Sequence, residues 1–346
     1  MHETETATEM YEFGCLKIGV AEMEGRRDAM EDFHVVAELK LDYVLLVLFD
    51  GHGGVEAPVF AKFHFVEVLK STTHWIEYAR QIDGGAKGDE ALLAASLEKT
   101  FEVIDATMRK SKDMASVSCG CTAVACLITP RYIVCANAGD SRAVLGTENS
   151  SVKALSYDHK PLSPLERDRI EEAGGCVLDC GGIGRINGSL AVSRGLGDFK
   201  YKQNKDPDDP QGFHRTIQMV SCIPDITIHD RSAEDDVILI ACDGLWDVMS
   251  NEDAVRIARE LFKTDRCTAS MAEELILEAY ARNSTDNISA ILVKLSGAEI
   301  ETPKDSGTPA IREDRQDYLT APRPVFRLRQ QSIEHAPGSV FESVDY

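Results

Sequence analysis

The stretch Asp50-Gly51-His52-Gly53-Gly54 combines reactive side chains with backbone that other groups can approach closely. It follows an apolar run over residues 43–49, whose β-branched and aromatic side chains indicate a buried strand. A carboxylate at a strand end, beside glycines that carry no Cβ, suits a hard cation, because Mg²⁺ and Mn²⁺ prefer carboxylate, carbonyl and water oxygens. The alternative is a tight turn in which the aspartate binds its own backbone.

The same pattern recurs later in the chain. A second apolar run, residues 236–242, ends in Asp243-Gly244, and Asp286 lies in a turn before a predicted strand over residues 288–295. If these strand ends converge, two like charges ~4 Å apart cost roughly 4 kcal/mol at an effective dielectric constant of about 20. Cations between the carboxylates would remove that cost. Either the aspartates lie apart or they hold metal, and their spacing leaves both possibilities open.

Length and composition describe a globular chain with room for one large domain or two ordinary ones. Its 346 residues are 43% hydrophobic and 27% charged, and no apolar run approaches the roughly 20 residues that span a bilayer. The net charge of −21 argues against nucleic acid or an anionic membrane as a partner, because both require a basic surface. The acidic start lacks the regions of a secretory signal, which predicts an intracellular location, cytoplasmic or nuclear.

The ten cysteines form no complete metal or nucleophile motif. Cys176 and Cys180 could supply half of a zinc site, but no second pair at ligand spacing accompanies them, which favours buried or loop thiols. No cysteine is followed six residues later by arginine, so the loop of a cysteine-nucleophile phosphatase is absent.

Periodicity and capping signals predict strands and helices in the same chain. Strands are predicted over residues 16–21, 33–39, 43–49, 121–129, 132–138, 142–145, 152–155, 225–229, 236–242 and 288–295. Helices are predicted over residues 55–81, 89–110, 164–173, 251–262 and 271–282. Ser163-x-x-Glu166 and Ser270-x-x-Glu273 are capping boxes that mark two of the helix starts.

Three segments are predicted to lie outside the regular core. Residues 1–15 are interpreted as a terminal lead-in, and the polar residues 200–212 as an exposed flap. Residues 297–346, rich in Pro, Ser, Thr and charge, are predicted to be a flexible or loosely docked tail. Within this tail Ser332 follows Arg327-Leu328-Arg329, a pattern similar to a basophilic kinase site.

Seven ordered motifs give the chain a resemblance to the type 2C metal-dependent Ser/Thr protein phosphatases (PPM family). They are Arg27-x-x-Met30-Glu31-Asp32, Phe49-Asp50-Gly51-His52-Gly53-Gly54, Gly139-Asp140-Ser141-Arg142, Asp158-His159-Lys160-Pro161, Asn187-Gly188-x-Leu190-Ala191-Val192-Ser193-Arg194-x-Leu196-Gly197-Asp198, Ala241-Cys242-Asp243-Gly244-x-Trp246-Asp247 and Ser284-Thr285-Asp286-Asn287. They follow the order of the family and cover about residues 16–296, which we predict to be the catalytic domain.

The resemblance implies an α+β fold with a central β-sandwich of two mainly antiparallel sheets, flanked by α-helices. It implies hydrolysis of phosphoserine and phosphothreonine in phosphorylated proteins. We expect a monomer, and the acidic charge given above predicts that it binds neither nucleic acid nor membrane. It also implies two Mn²⁺ or Mg²⁺ ions, held by Asp50, the carbonyl of Gly51, Asp243 and Asp286. A weaker third ion is implied by three matching positions, which are Asp140, Asp243 and Asp247.

The resemblance assigns catalytic roles to further residues. Arg27 matches the arginine that binds the substrate phosphate, and His52 the proposed proton donor to the leaving alkoxide. Glu31 and Asp32 are expected to act mostly through metal-bound water, and Asn287 to orient Asp286. Two ions roughly 3.5–4 Å apart activate a bridging water for in-line attack, so no covalent enzyme intermediate is needed.

The remaining charged residues of these motifs are interpreted as structural. We expect Asp198 to belong to a turn, Arg142 and Arg194 to form structural ion pairs, and His159 and Lys160 to stabilise a loop. The segment 179–184 and the flap lie where the family varies, so the choice of substrate is left open.

A catalytically silent relative that serves as a regulatory binding module is the alternative function. Loss of a metal aspartate is the usual signature of such a protein, whereas Asp50, Asp243 and Asp286 are all present. A calcineurin-like dinuclear phosphatase is disfavoured, because its Gly-Asn-His signature is missing.

Overall fold

The computed structural model describes residues 5–111, 114, 118–149, 151–205 and 217–295. The strands are β1 (Thr6–Phe13), β2 (Leu16–Met23), β3 (Asp32–Lys40), β4 (Tyr43–His52), β5 (Gly120–Cys121), β6 (Ala123–Ile128), β7 (Tyr132–Ala138), β8 (Arg142–Thr147), β9 (Val152–Ala154), β10 (Val177–Cys180), β11 (Ile183–Ile186), β12 (Leu196–Gly197), β13 (Asp225–Asp230), β14 (Asp235–Ala241) and β15 (Ile288–Leu295). The helices are α1 (Glu56–Ser71), α2 (Thr73–Asp83), α3 (Glu90–Lys110), α4 (Pro164–Glu172), α5 (Asp243–Trp246), α6 (Asn251–Phe262) and α7 (Thr268–Ala281). Among these residues, no helix combines the length and the apolar character that crossing a membrane requires.

Two sheets form the centre of the fold. One has the strand order β1-β2-β15-β14-β8-β9, and the other has the order β12-β5-β4-β6-β7-β13, with β3 also paired to β4. Every pairing between these named strands is antiparallel. The predicted α+β sandwich of two mainly antiparallel sheets is therefore confirmed.

The apolar residues of strand β4 do not alternate with polar ones, because both faces of the strand are buried. Leu46 and Leu48 face the apolar core between the two sheets, whereas Val47 and Phe49 face the core beneath helices α1 to α3. Because successive side chains of a strand point to opposite faces, a strand buried on both faces must be apolar at every position. The apolar run ends where β4 leaves these cores, at Asp50.

Helices cover the outer face of each sheet. Phe65 of α1 and Phe101 of α3 belong to the core on the β4 side, with their ring centroids 5.9 Å apart in an edge-to-face arrangement. Val255 of α6 and Leu275 of α7 pack in a third core against β14 and β15. The order of layers is therefore helix, sheet, sheet, helix. The helices leave the loops at one edge of the sandwich uncovered, and polar groups lie in these loops.

The N-terminal residues differ from the prediction of a lead-in over residues 1–15. Thr6–Phe13 form β1, which pairs with β2 along its whole length, from Thr6 opposite Met23 to Phe13 opposite Leu16. This strand lies at the edge of the sheet and is largely exposed, so its polar composition hides it from an apolar pattern. The predicted tail, with Ser332, and residues 206–212 of the flap lie outside the described residues.

The predicted capping box at the start of α4 does not form. Ser163 precedes the helix, but its side chain makes no capping hydrogen bond. Glu166 instead accepts hydrogen bonds from Arg194 Nε at 3.0 Å and from Ser193 Oγ at 2.7 Å. Glu166 and Arg194 are both buried, so this pair links α4 to the 193–198 segment and confirms a structural role for Arg194.

Two predicted helix boundaries are wrong, and one hairpin is missing from the prediction. The helix predicted over residues 55–81 is two helices, because Thr72 is extended between α1 and α2 and caps the second of them. Helix α7 begins at Thr268, earlier than its predicted capping box, and Glu273 accepts a hydrogen bond from Thr6 of β1. The hairpin of β10 and β11 was not predicted at all.

The buried pair of Glu166 and Arg194 gives a stability prediction. Glu166→Gln removes the carboxylate that Arg169 and Arg194 share and leaves Arg194 paired with Asp225. We expect the free energy of unfolding to fall by about 3 kcal/mol, since removing one partner of a buried ion pair leaves positive charge uncompensated. Ser163→Ala should change it by less than about 0.5 kcal/mol, as for a surface substitution. Urea denaturation measures both. A loss of about 1 kcal/mol for Ser163→Ala would instead indicate a working N-cap.

Candidate active site

Strand ends from both sheets meet at one edge of the sandwich. Asp50 lies near the end of β4, Asp140 in the loop between β7 and β8, and Asp243 at the start of α5, just after β14. One carboxylate oxygen from each of the three lies within 4.8 Å of the others. The convergence that spacing left open is therefore present for Asp50 and Asp243, with Asp140 as the third member.

Two glycines allow the segments to approach one another. A Cβ on Gly51 would lie 2.4 Å from the carbonyl oxygen of Glu31, and a Cβ on Gly244 would lie 2.0 Å from the carbonyl oxygen of Asn287. Both distances are far shorter than a van der Waals contact, so a larger residue would push apart the segments that carry the acids. The glycine after each strand-end aspartate is thus required by packing.

Burial and mutual repulsion raise the pKa values of Asp50 and Asp243. For Asp50 the main cause is burial, followed by the charges of Asp243, Asp32 and Asp140. Burial and then the charge of Asp140 likewise raise the pKa of Asp243. Burial also raises the pKa of Asp32, which lies opposite Asp50 in the β3–β4 pairing, to about 7. The cluster therefore disfavours its own negative charge.

The donor set fits a hard divalent cation. Three carboxylates offer oxygen ligands at one point, and Mg²⁺ and Mn²⁺ prefer such ligands. Asp140 Oδ1 is buried and accepts no hydrogen bond from any residue that the structure describes, so it is available to a cation. Asp247 lies close enough that the charge of Asp140 adds to burial in raising its pKa.

Asp286 lies beside this cluster and is bound to Arg27. Its Oδ2 accepts a hydrogen bond from the guanidinium of Arg27, and its Oδ1 accepts one from the backbone N–H of Asn287 at 2.8 Å. Arg27 Nε also donates to the carbonyl of Thr285 at 3.3 Å. The three acids that lie closest together among the described residues are therefore Asp50, Asp140 and Asp243. The resemblance implied Asp286 as the third acid in place of Asp140.

Glu31 and Asn287 hold the loop that carries Arg27. The Asn287 side chain accepts a hydrogen bond from the Glu31 N–H at 2.9 Å and donates to the carbonyls of Glu24 and Ala29, at 2.8 and 2.9 Å. Glu31 Oε1 accepts from the Gly54 N–H at 2.9 Å. The side chain of Asn287 thus positions the loop, while its backbone N–H contacts Asp286.

His52 has a carboxylate partner that sequence reasoning missed. Its Nε2 lies 2.7 Å from Oδ2 of Asp198, which is buried and has a left-handed backbone conformation with φ of 54°. The neighbouring Gly197 N–H donates to Asp105 Oδ1 at 2.9 Å, which fixes this segment to α3. Burial lowers the pKa of His52, but the charge of Asp198 and other acids outweighs burial, and the net direction is upward. Asp198 therefore orients His52.

One cavity of about 620 Å³ connects these groups. Its lining includes Arg27, Glu31, Asp50, Gly51, His52, Asp140, Asp198, Asp243, Asp286 and Asn287. Asp32 lies behind it, buried, and accepts a hydrogen bond from Ser289 Oγ at 2.7 Å. The basic residues Arg185 and Lys200 also line the cavity, and no motif spacing in the sequence marked them as site residues.

Two other interpretations agree with the structure. Arg142 forms a structural ion pair with Asp158, through two hydrogen bonds of 2.8 Å each. Cys176 and Cys180 are free, exposed thiols, and neither belongs to a cluster of metal-ligating side chains in the part of the chain that the structure describes.

A sequence model of the family "Protein phosphatase 2C" matches residues 16–288 of this chain. The chain belongs to the protein phosphatase 2C family. This family comprises metal-dependent protein serine/threonine phosphatases, in agreement with the acid cluster described above.

Relatives in the family differ from this chain in length. "Protein phosphatase ppm-1.A" of Caenorhabditis elegans is 34% identical over 289 residues, which are 80% of this chain and 59% of that protein. "Protein phosphatase 2C homolog 2" of Schizosaccharomyces pombe is 35% identical over 280 residues, covering 78% of this chain and 68% of its own. The crystal structure of a serine-threonine phosphatase 2C from Toxoplasma gondii has a TM-score of 0.73 at 24% identity, covering 84% and 99% of the two chains, and shows the shared fold.

Asp243→Asn is expected to stabilise the protein when metal is absent and to reduce the stabilisation that metal provides. Asp243→Asn removes a repelling charge, so we expect the free energy of unfolding of the metal-free protein to rise, by up to roughly 4 kcal/mol, the cost of one close pair of like charges at an effective dielectric constant of about 20. Wild type should gain about 2.7 kcal/mol at Mn²⁺ concentrations a hundredfold above the dissociation constant. The variant should lose most of that gain. Thermal and urea denaturation, with and without Mn²⁺, measure both quantities.

Asp265→Asn is the matched control, because Asp265 is exposed and lies after α6, outside the cluster. It should behave as wild type. A gain from Mn²⁺ that is equal in Asp243→Asn and in wild type would contradict metal binding at this cluster.

Proposed function

We propose that this chain hydrolyses phosphoserine and phosphothreonine in phosphorylated proteins, with two Mn²⁺ or Mg²⁺ ions and without a covalent enzyme intermediate. The observation that carries this proposal is the meeting of Asp50, Asp140 and Asp243 in one cavity that Arg27 and His52 also line. Membership of the protein phosphatase 2C family supports it.

The cavity offers residues for each ion that the proposal requires. Asp50, Asp243 and Asp286, with the carbonyl of Gly51, would hold two ions, and Asp140 with Asp247 would contribute to a weaker third. Such ions, when bound, supply an activated water and compensate the charge of the phosphoryl oxygens.

Arg27 is suited to bind the phosphate of the substrate. A guanidinium has five N–H donors in a planar fork that matches phosphate geometry. Arg27 contacts Thr285 and Asp286, and 55% of its side chain is exposed. Because Arg27 lines the cavity and more than half of its side chain is exposed, its guanidinium is accessible to a phosphate there.

His52 is suited to protonate the leaving group. A serine or threonine alkoxide is a strong base, so its departure is accelerated by a positioned general acid. Asp198 fixes the ring of His52 by its bond to Nε2. Burial lowers the pKa of His52, but the charge of Asp198 and other acids outweighs burial, and the net upward direction favours the protonated ring. Glu31 and Asp32 are proposed to contact metal-bound water.

Hydrolysis of p-nitrophenyl phosphate and of a phosphothreonine peptide tests the proposed activity. We expect wild type to hydrolyse both with Mn²⁺ and neither after treatment with EDTA. Asp243→Asn should lower kcat/KM by at least about a hundredfold, the scale of losing an electrostatic group at a reacting centre. Asp265→Asn should match wild type. Equal turnover by wild type and Asp243→Asn would contradict the enzyme and favour the regulatory binding module.

The contact between Asp198 and His52 predicts a dependence on the leaving group. Asp198→Asn misorients the general acid, so kcat on a phosphoserine peptide should fall by about a hundredfold. Hydrolysis of p-nitrophenyl phosphate should fall by less than about fivefold, because p-nitrophenolate leaves without a proton.

His52→Gln should show the same division between the two substrates, and the double variant should be no worse than either single one. Equal losses on both substrates would show that Asp198 only supports the fold.

A further inference from the structure

Lys160 is a charged residue that the proposed reaction does not use. Its ammonium group forms an ion pair with Oδ2 of Asp140, at the edge of the acid cluster. Its positive charge also acts on Asp243 and Asp247, in each case opposing the rise in their pKa values that burial causes. Lys160 therefore faces the three acids that the resemblance links to a weaker third ion.

The fold fixes Lys160 at this position through its neighbours. Asp158 binds Arg142 through two hydrogen bonds of 2.8 Å. The His159 N–H donates to the carbonyl of Gly139 at 2.9 Å, and the Gly139 N–H donates to His159 Nδ1 at 3.2 Å. Residues 158–160 and 139–142 are thus joined by backbone and side-chain contacts, so Lys160 has a defined place beside Asp140.

The two oxygens of Asp140 have different surroundings. Oδ2 binds Lys160, whereas Oδ1 is buried and accepts no hydrogen bond from the described residues. One oxygen of this carboxylate lies in the group formed with Asp50 and Asp243. The lysine side chain is 39% exposed and sits on a flexible stem, so its ammonium can move into solvent at small cost. A single positive charge compensates one carboxylate, and a divalent ion compensates two.

We propose that Lys160 is a built-in counter-ion that competes with a divalent cation for Asp140, Asp243 and Asp247. Lys160 would stabilise the cluster when no ion is bound there and would weaken the affinity for the last ion to bind. It stays protonated throughout, and only its partner changes. The inference rests on the proposed function, because it requires these acids to bind divalent cations.

Competition has a thermodynamic signature that a supporting role lacks. A group that stabilises only the ion-free state must raise the stability of that state and lower the apparent affinity for the ion together. Removing Lys160 should therefore destabilise the ion-free protein and tighten its binding of Mn²⁺. A lysine that merely supports the loop would, on removal, destabilise the protein and weaken or leave unchanged its binding of Mn²⁺.

Mn²⁺ binding to the full chain tests the proposal. The protein is stripped of metal with EDTA and dialysed, and Mn²⁺ is titrated by calorimetry and by the electron paramagnetic resonance signal of free Mn²⁺. In Lys160→Met the dissociation constant of the weakest site should fall by about tenfold, while the melting temperature without Mn²⁺ also falls. Lys160→Arg keeps the charge and should stay near wild type. Lys70→Met, at an exposed position in the last turn of α1, is the matched control for loss of a lysine.

A measurement on wild type covers the case in which Lys160→Met fails to fold. Bound Mn²⁺ should release the ammonium, so acetic anhydride should label Lys160 faster with Mn²⁺ than with EDTA, whereas labelling of Lys70 should not change. Peptide mass spectrometry gives both rates.

The proposal is overturned if Lys160→Met binds Mn²⁺ no more tightly than wild type, or if Mn²⁺ leaves the labelling of Lys160 unchanged. Absence of any Mn²⁺ binding by wild type would contradict the proposed function itself. The two failures are therefore distinguishable.

Discussion

Repulsion among carboxylates that meet at one edge of the sandwich is the constraint on which the site depends. Asp50, Asp140 and Asp243 lie together although burial and neighbouring charges raise the pKa values of Asp50 and Asp243, and two like charges ~4 Å apart cost roughly 4 kcal/mol at an effective dielectric constant of about 20. Burying one large apolar side chain contributes about 1.5–3 kcal/mol. Strand β4 alone buries Leu46, Leu48, Val47 and Phe49 completely. The two cores on either side of β4 can therefore hold the acids together before any ligand binds.

The residues proposed for chemistry are held by neighbours that have no chemical role. Asn287 ties down the loop that bears Arg27, and Asp198 orients His52. Residues 158–160 hold Asp140 through the adjacent backbone of residue 139. These supports come from segments distant in the chain, so the geometry of the site depends on the closed sandwich and not on any single loop. Rigid positioning of this kind is what in-line displacement requires.

Sequence patterns correctly predicted the features of the structure that depend on residues close together in the chain. The apolar runs that end in Asp50 and Asp243 are buried strands, and the motif order identified the family. Strand β1 was not predicted, because an edge strand need not be apolar and so lacks an apolar pattern. Glu166 follows a capping-box pattern, but its carboxylate binds Arg194 instead. The contact of His52 with Asp198 joins residues 146 positions apart, and nothing in the spacing of either residue encodes it. Tertiary pairing of polar side chains is the part that sequence patterns leave undetermined.

The distribution of positive charge shows where an ion is needed most. At the edges of the cluster, Asp286 is paired with Arg27 and Asp140 with Lys160. Among the ion pairs of the described residues, none involves Asp50 or Asp243, although burial raises the pKa values of both. Basic side chains from the protein thus bind the outer acids directly, whereas the inner pair has no direct ion-pair partner among the described residues and Asp243 is reached by the charge of Lys160 only at a distance. The inner pair is also the set for which apolar strand, carboxylate and glycine coincide in the sequence. Asp50 and Asp243 are therefore the acids that the sequence pattern marks and also the acids that lack a direct ion-pair partner. This combination is expected where a bound divalent cation supplies the missing positive charge.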